Sequence, residues 1–283
     1  MATTVPDLMP MTTLGQFRVS RLIVGGNPFS GNSHWDGTLS AEMRSFHTNQ
    51  RVLETLTRYE KYGVNVLQSR GDAHMFRLYG EHRQAGGKMK WIAQTASEMA
   101  DLLANILQIA RAGAIGAYLH GTRTDALWRQ GRADEAVDGL KAMRDAGLLA
   151  GIGTHIPEVI AYAEERAWPV DFYMACFYNL SRTERESALV SGISASGEQF
   201  IHEDRDAMCA AIRATAKPVL AFKILAASRL SHSKADLGAA FRYAFAGIKP
   251  SDAVVVGTFA KYSDQAAENA LLTYRYGRTG PTG

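Results

Sequence analysis

Eight short apolar runs recur along the chain, and each is followed by a longer stretch with helical periodicity. Near-continuous apolar runs are typical of strands that are buried on both faces of a parallel sheet. In the intervening stretches apolar residues recur on one helical face, as Val159, Ile160 and Ala163 do after the fifth run. The alternation predicts an α/β fold with strands at 21–26, 64–69, 90–94, 115–120, 149–154, 171–177, 218–223 and 252–257.

Eight strand–helix units predict a (β/α)8 TIM barrel. The rival fold is a doubly wound sheet, which rarely repeats the unit so evenly. Gly63, Gly113 and Gly147 stand where helices are expected to end, directly before the next strand. Residues 11–21, with Gly15 and Gln16 between two β-prone runs, predict an N-terminal β-hairpin that plugs the barrel.

Length and composition favour one soluble domain over residues 1–283, with loose termini at 1–10 and 277–283. The formal net charge is +3 and the basic residues are dispersed, so we expect neither nucleic acid nor a membrane surface as a partner, but a small-molecule substrate. Cys176 and Cys209 form no disulfide framework, which fits a cytoplasmic location. The oligomeric state stays open.

Four motifs occur in an order and spacing found in one enzyme superfamily. Leu14-Gly15 precedes Leu22 and Gly25-Gly26, Tyr118-Leu119-His120 closes the fourth predicted strand, Tyr178-Asn179-Leu180 follows the sixth, and Gly257-Thr258 precedes Glu268-Asn269. Over nearly its whole length the chain resembles the aldo-keto reductases. The resemblance implies that His120 polarises a carbonyl and that Tyr178 stacks on nicotinamide. It implies an NADPH site at Gly257, Thr258, Lys261 and Asn269.

The catalytic residues of that superfamily are largely replaced in this chain. Gln68 or Ser69 stands where the family has an aspartate, and Ala73 or His74 stands where it has the proton-donating tyrosine. The third strand ends in Gln94-Thr95, without the family's lysine. Since that lysine lowers the pKa of the tyrosine, ordinary carbonyl reduction loses its usual acid. We therefore expect altered chemistry.

Two histidines close consecutive predicted strands, where barrel enzymes place their chemistry. Neighbouring parallel strands lie roughly 4.8 Å apart, so the sequence predicts that His120 and His155 overhang one pocket. One hypothesis is a divalent metal held by His120, His155 and Asp72, with His74 as an alternative third ligand. The other is that one histidine polarises a carbonyl while the second binds a backbone group.

The remaining polar residues at strand ends complete the candidate site. Lys223 is predicted to act as a base or to form a Schiff base, or alternatively to serve as a fixed cation. Arg70 and Asp72 form either a substrate clamp or a loop ion pair. A long loop at 180–201 is expected on the active face. The predicted catalytic residues are His120, His155, Lys223 and Asp72; the predicted substrate-binding residues are Asn27, His34, Arg70, His74, Gln94, Tyr178 and Asn179. His47, His82, His202 and His232 are predicted to be surface residues.

Three hypotheses of function follow. The first is a lyase or isomerase that acts next to a carbonyl of a small, sugar-like substrate, with or without a metal. The second is an NADPH-dependent reductase or dehydrogenase in which Tyr79 or another group replaces the missing donor. The third is a catalytically inactive barrel that serves as a subunit or ligand sensor.

Overall fold

A computed structural model describes residues 9–182 and 198–278. The chain begins with an antiparallel hairpin of β1 (Met11–Leu14) and β2 (Phe17–Ser20). Eight parallel strands then close into a barrel in sequence order, which confirms the predicted (β/α)8 fold and its N-terminal hairpin. The barrel strands are β3 (Leu22–Gly25), β4 (Val66–Arg70), β5 (Lys90–Gln94), β6 (Gly116–Leu119), β7 (Leu149–Thr154), β8 (Phe172–Cys176), β9 (Val219–Phe222) and β10 (Ala253–Gly257).

Ten α-helices in the described residues surround the barrel. Their amphipathic sequences turn the apolar face toward the strands, while Asp or Ser side chains cap the N-termini of several of them. The helices are α1 (Gly37–Phe46), α2 (Asn49–Lys61), α3 (Ala73–Gln84), α4 (Leu102–Arg111), α5 (Gly121–Arg129), α6 (Ala136–Asp145), α7 (Pro157–Glu165), α8 (Asp204–Ala214), α9 (Lys234–Gly247) and α10 (Gln265–Tyr276).

The interior of the barrel is filled by side chains from alternate strand positions. Ile23, Val66, Ile92 and Phe172 belong to this inner core and are fully buried. Gly151 leaves the space that Phe172 needs, because a Cβ at Gly151 would lie 2.5 Å from the Phe172 ring. The hydrophobic side chains therefore close the barrel below the strand ends and leave its upper rim for polar residues.

Both described ends of the chain are anchored, which corrects the predicted loose termini at those positions. Met9 is buried, and the Pro10 carbonyl accepts a hydrogen bond from the Arg21 amide. The buried Arg21 guanidinium donates to the carbonyl of Gly277 at 2.6 Å and to two carbonyls near the start of β10. Burial lowers the pKa of Arg21 to about 10, opposed by Asp252. Residues 1–8 and 279–283 lie outside the described residues.

Two of the four histidines predicted to be surface residues are buried. His47 is enclosed by Phe29, Phe46 and Phe259, and burial lowers its pKa to about 4. His82 packs beneath Gly87 and faces Glu60 at 3.3 Å. The prediction failed because His82 lies on the buried side of α3 and His47 lies at the C-terminal end of α1, where three phenylalanine rings surround it. His202 and His232 are exposed, as predicted.

Cys176 and Cys209 are both buried and form no disulfide. Within 9–182 and 198–278, no helix has the length and apolar character that crossing a membrane requires.

Candidate active site

A cavity of about 420 Å³ opens at the carboxyl ends of the barrel strands. Its walls come from the segments that follow β3, β9 and β10, together with Leu39 and Met43 of α1. This is the end of a TIM barrel at which catalytic residues converge. The lining combines apolar side chains with a few polar groups: Asn27, His34, Gln68, Phe222, Lys223, Leu225, Gly257, Phe259, Glu268 and Asn269.

Three polar side chains of the cavity lining, Asn27, His34 and Lys223, lie close together, and Glu198 contacts His34 and Lys223; we call these four residues the mouth cluster. The Asn27 amide lies 3.2 Å from His34 Nε2, and His34 Nδ1 lies 3.2 Å from Glu198 Oε1. Lys223 Nζ lies 3.3 Å from His34 Nδ1 and 3.7 Å from Glu198 Oε2. The contacts with Asn27 and Glu198 fit an imidazole whose Nε2 accepts and whose Nδ1 donates, and the Lys223 ammonium then lies beside Nδ1 as a neighbouring charge.

The cluster is well shielded from solvent. The side chains of Lys223 and Glu198 are 8% and 4% exposed, and that of His34 is 15% exposed. An amine, an imidazole and a carboxylate held this close in a low-dielectric environment interact more strongly than at the protein surface. The arrangement therefore has the composition of an acid–base site.

Unusual backbone conformations position two members of the cluster. His34 and Lys223 have φ angles of 54° and 59°, in the left-handed region that non-glycine residues seldom occupy. Such strain is found where the surrounding structure holds functional side chains. Asn27 begins a short 3₁₀ helix, Asn27–Ser30, in which Pro28 occupies the first turn. Local backbone geometry thus aims three side chains at one point.

Arg229 covers the cluster from the β9–α9 loop. Its guanidinium lies 4.1 Å from the ring centre of Phe200 and 4.7 Å from that of Trp35, and it donates to the His34 carbonyl at 3.2 Å. Burial lowers the pKa of Arg229, while Glu198 opposes that effect. Arg229 joins the first loop to the segment that carries Glu198 and Phe200.

At the inner end of the cavity, neutral side chains from three neighbouring strands form a chain of hydrogen bonds. Gln68 on β4 donates to the Tyr118 hydroxyl at 2.7 Å, and Tyr118 on β6 donates to Gln94 Oε1 on β5 at 3.1 Å. Gln68 and Gln94 stand at the positions where the resemblance implies an aspartate and a lysine. The charges expected there are replaced by amides.

His155 belongs to a different network from the mouth cluster. Its Nδ1 lies 2.7 Å from the Oδ2 of Asp125, a fully buried residue of α5. Thr154 and Ser181 donate to the same carboxylate at 2.6 and 2.5 Å. Burial alone would raise the pKa of Asp125, but His155 outweighs it, with help from Ser181 and Thr154, and the pKa lies below its ordinary value.

Strands β6 and β7 are neighbours, as predicted, but their two histidines do not line the main cavity. His155 faces a separate cavity of about 200 Å³ together with Cys176, Asn179 and Arg182. Asp125 draws the imidazole toward α5, and Phe222 stands edge-on to it, with the ring centres 5.6 Å apart. His120 precedes α5, and its amide bonds Thr95 Oγ1 at 3.2 Å. A pocket shared by the two histidines therefore stays a prediction.

The proposed metal ligands do not converge. Asp72 caps α3 by accepting from the Met75 amide at 3.0 Å, and it also pairs with Arg70 at 3.2 Å. His74 is exposed on α3 and lies 3.2 Å from Asn49 Oδ1. Across the two described parts of the chain, no group of three His, Cys, Asp or Glu side chains has a geometry suited to a metal. The donor set His120, His155 and Asp72 is therefore not supported.

The other predicted substrate-binding residues occupy the rim. Arg70 is buried and forms ion pairs with Asp72 and Glu98. Of the two predicted roles, substrate clamp or loop ion pair, these contacts match the loop ion pair. Tyr178 is buried against Phe200, with the ring centres 5.0 Å apart, and burial raises its pKa to about 12. The backbone amide of Asn179 donates to the Asp204 carboxylate at 3.0 Å, and the Asn179 side-chain oxygen accepts from the backbone amide of Ser181. Tyr178 thus supports Phe200 and the mouth cluster behind it.

The four predicted cofactor residues separate into two groups. Gly257 and Asn269 line the main cavity, whereas the buried Thr258 bonds the Tyr59 hydroxyl and Lys261 pairs with Glu42 at 2.5 Å. Asn269 also donates to Tyr59 at 3.0 Å. Tyr79, the candidate replacement donor, bonds the Met89 carbonyl and packs on Trp91 on the outer face of the barrel. Its contacts there exclude that role.

Three residues at these sites were missed by sequence reasoning. Glu198 lies in the long loop predicted at 180–201, of which 183–197 are outside the described residues. Asp125 lies within the α5 pattern, and Arg229 lies within the loop that follows β9. A carboxylate inside an otherwise amphipathic helix directly after His120 was the available signal for Asp125. Nothing in the local sequence marked Glu198 or Arg229.

No protein-family model matches this chain, and no curated protein matches it in sequence. Solved structures do share its fold. The glycerol dehydrogenase AKR11B4 from Gluconobacter oxydans superposes with a TM-score of 0.52 at 13% identity, over 97% of this chain and 98% of its own. A truncated 3-deoxy-D-arabino-heptulosonate 7-phosphate synthase from Thermotoga maritima has the same TM-score and identity, over 94% and 89%.

The two structural neighbours carry different chemistries on one architecture. One is named as a dehydrogenase and the other as a synthase, and both match equally well. At this identity the likeness establishes the barrel fold. It does not single out the aldo-keto reductases.

Proposed function

We propose that the chain is a non-redox lyase or isomerase that moves a proton next to a carbonyl of a small polyhydroxylated substrate. The observation that carries this proposal is the mouth cluster, in which His34 and Lys223 line the cavity at the catalytic end of the barrel and both lie close to Glu198. From the sequence, His120 and His155 were predicted to polarise the carbonyl, and Asp72 or Lys223 to move the proton. In this proposal Lys223 polarises the carbonyl and Glu198 takes the proton.

Each group has a distinct task in this reaction. The Lys223 ammonium polarises the substrate carbonyl oxygen and stabilises the charge that develops when the neighbouring carbon loses its proton. Glu198 accepts that proton, and His34, bonded to Glu198 at 3.2 Å, orients the carboxylate. Apolar walls from Phe222, Leu225 and Phe259 reduce access of water to the intermediate.

Solvent exchange tests the proposal without knowledge of the substrate. The protein is incubated in deuterium oxide with single members of a panel of aldoses, ketoses and sugar acids, and proton NMR follows the signal next to the carbonyl. We expect one stereochemical subset to lose that signal at a rate proportional to enzyme concentration. Exchange with none of the panel, accompanied by substrate-dependent oxidation of NADPH, would contradict the proposal.

A second candidate function is an NADPH-dependent reductase. The observation that favours it is the course of the main cavity, which passes Gly257 and reaches Glu268 and Asn269 at the start of α10. Loops after the last two barrel strands commonly bind phosphate. NADPH bound there would supply a hydride, and Lys223, the one lysine or arginine among the described residues that line the cavity, would pair with a phosphate.

NADPH binding separates the two functions. Titration of the protein into NADPH should leave the fluorescence of the nicotinamide unchanged if the first function is correct. Saturable quenching at micromolar concentrations, reversed by NADP⁺, would favour the reductase. Bovine serum albumin at the same concentration controls for nonspecific quenching.

A further inference from the structure

We propose that Tyr118 is a positioning residue that fixes the amide of Gln68 to bind a substrate hydroxyl at the inner end of the cavity. This inference rests on the proposed function, because it assigns the binding of the same sugar-like substrate. The hydrogen-bond chain Gln68–Tyr118–Gln94 carries it.

The strand register places the three side chains together. Tyr118 on β6 is paired with Gln94 on β5. Gln68 stands two residues before Arg70, the β4 residue that is paired with Gln94, so its side chain reaches the same part of the barrel from the next strand. Tyr118 belongs to the inner core and packs edge-on to Phe172, with the ring centres 6.5 Å apart. The phenol is held from below, and its hydroxyl has a fixed location between the two amides.

The hydroxyl proton of Tyr118 determines the direction of both hydrogen bonds between Gln68, Tyr118 and Gln94. The Tyr118 hydroxyl donates to Gln94 Oε1, and it therefore accepts from Gln68 Nε2. This contact sets which end of the Gln68 amide is the nitrogen. Gln68 also lines the cavity, where its carboxamide is left to bind a ligand in one orientation.

Tyr118 does not act as the missing acid of the superfamily. Burial raises the pKa of its phenol far above the usual range, while the nearby Arg70 opposes the effect only in part. The phenol is therefore protonated at neutral pH. A neutral, permanently oriented hydrogen-bond chain suits recognition of an uncharged hydroxyl rather than proton transfer.

The substitution Tyr118→Phe tests this role in the solvent-exchange reaction. Removing the hydroxyl frees the Gln68 amide to rotate, and we expect KM to rise about tenfold, the effect of losing one oriented hydrogen bond. The kcat and its pH profile should stay within about twofold of wild type, since the mouth cluster is untouched. Tyr173→Phe is the matched control, because its hydroxyl bonds Glu164 away from the cavity.

A spectroscopic readout keeps the test independent of activity. The side-chain amide signals of Gln68 are identified in the ¹⁵N-labelled protein by their loss in Gln68→Glu. In wild type one amide proton should exchange slowly with solvent, and in Tyr118→Phe this protection should disappear while circular dichroism shows an unchanged fold. Protection that survives in Tyr118→Phe overturns the inference. Absence of exchange activity in wild type with loss of protection in the variant overturns the proposed function alone.

Discussion

Replacing Lys223 by methionine should lower the rate of solvent exchange about 10³-fold, the cost of removing a preorganised charge from a water-poor site. Methionine preserves much of the length of the side chain and removes its ammonium group, which lies 3.7 Å from Glu198 and 3.3 Å from His34. The defect should fall on kcat, because the charge is needed most when the carbonyl oxygen becomes negative. The measurement is the initial rate of deuterium incorporation at saturating substrate.

The control for this variant is Lys88→Met, which makes the same change at an exposed position before β5. Its exchange rate should equal that of wild type. A Lys223→Met protein that is folded and retains more than a tenth of the wild-type kcat would remove Lys223 from the reaction. The acid–base role would then have to lie elsewhere in the barrel.

Replacing Asp125 by alanine should lower the free energy of unfolding by about 3–5 kcal/mol, the usual effect of breaking a buried ion pair. Asp125 is fully buried, and its carboxylate accepts from His155, Thr154 and Ser181. The variant leaves these donors without their acceptor in the core. Urea unfolding followed by circular dichroism measures the change.

The same carboxylate makes stability depend on pH. Because the folded-state pKa of Asp125 lies below its ordinary value, the contribution is present above that ordinary value and is lost as the pH falls toward the folded-state pKa. The difference between wild type and Asp125→Ala should therefore shrink in acid. Asp145→Asn, at an exposed site in α6, should change stability by less than about 0.5 kcal/mol. Equal stability of wild type and Asp125→Ala at neutral pH would contradict the assignment.

The barrel was predictable because its causes are local and repetitive. Each predicted strand range contains or closely overlaps the observed strand, and Gly63, Gly113 and Gly147 adopt the positive φ angles expected after helices. Apolar runs and helical periodicity show directly which residues are buried. The burial of His82 was missed because an imidazole on the buried face of a helix looks polar in sequence.

The candidate site was predictable only in part. Asn27, His34 and Lys223 were selected because each follows a predicted strand, and the structure brings them together. His155 lies at a strand end, as predicted, and its ring bonds Asp125 on α5, the helix of the preceding strand–helix unit, which the sequence pattern did not indicate. Strand position does not determine the rotamer that a side chain adopts.

By itself the sequence determined the number of strand–helix units and the end of the barrel that carries polar groups. Only the tertiary structure decided which of those groups meet. Glu198 contacts His34 and Lys223, which are 164 and 25 residues away in sequence. Asp125 pairs with His155, which is 30 residues away. Apolar periodicity is a property of neighbours in sequence, whereas an acid–base cluster depends on distances that exist only after the chain has closed.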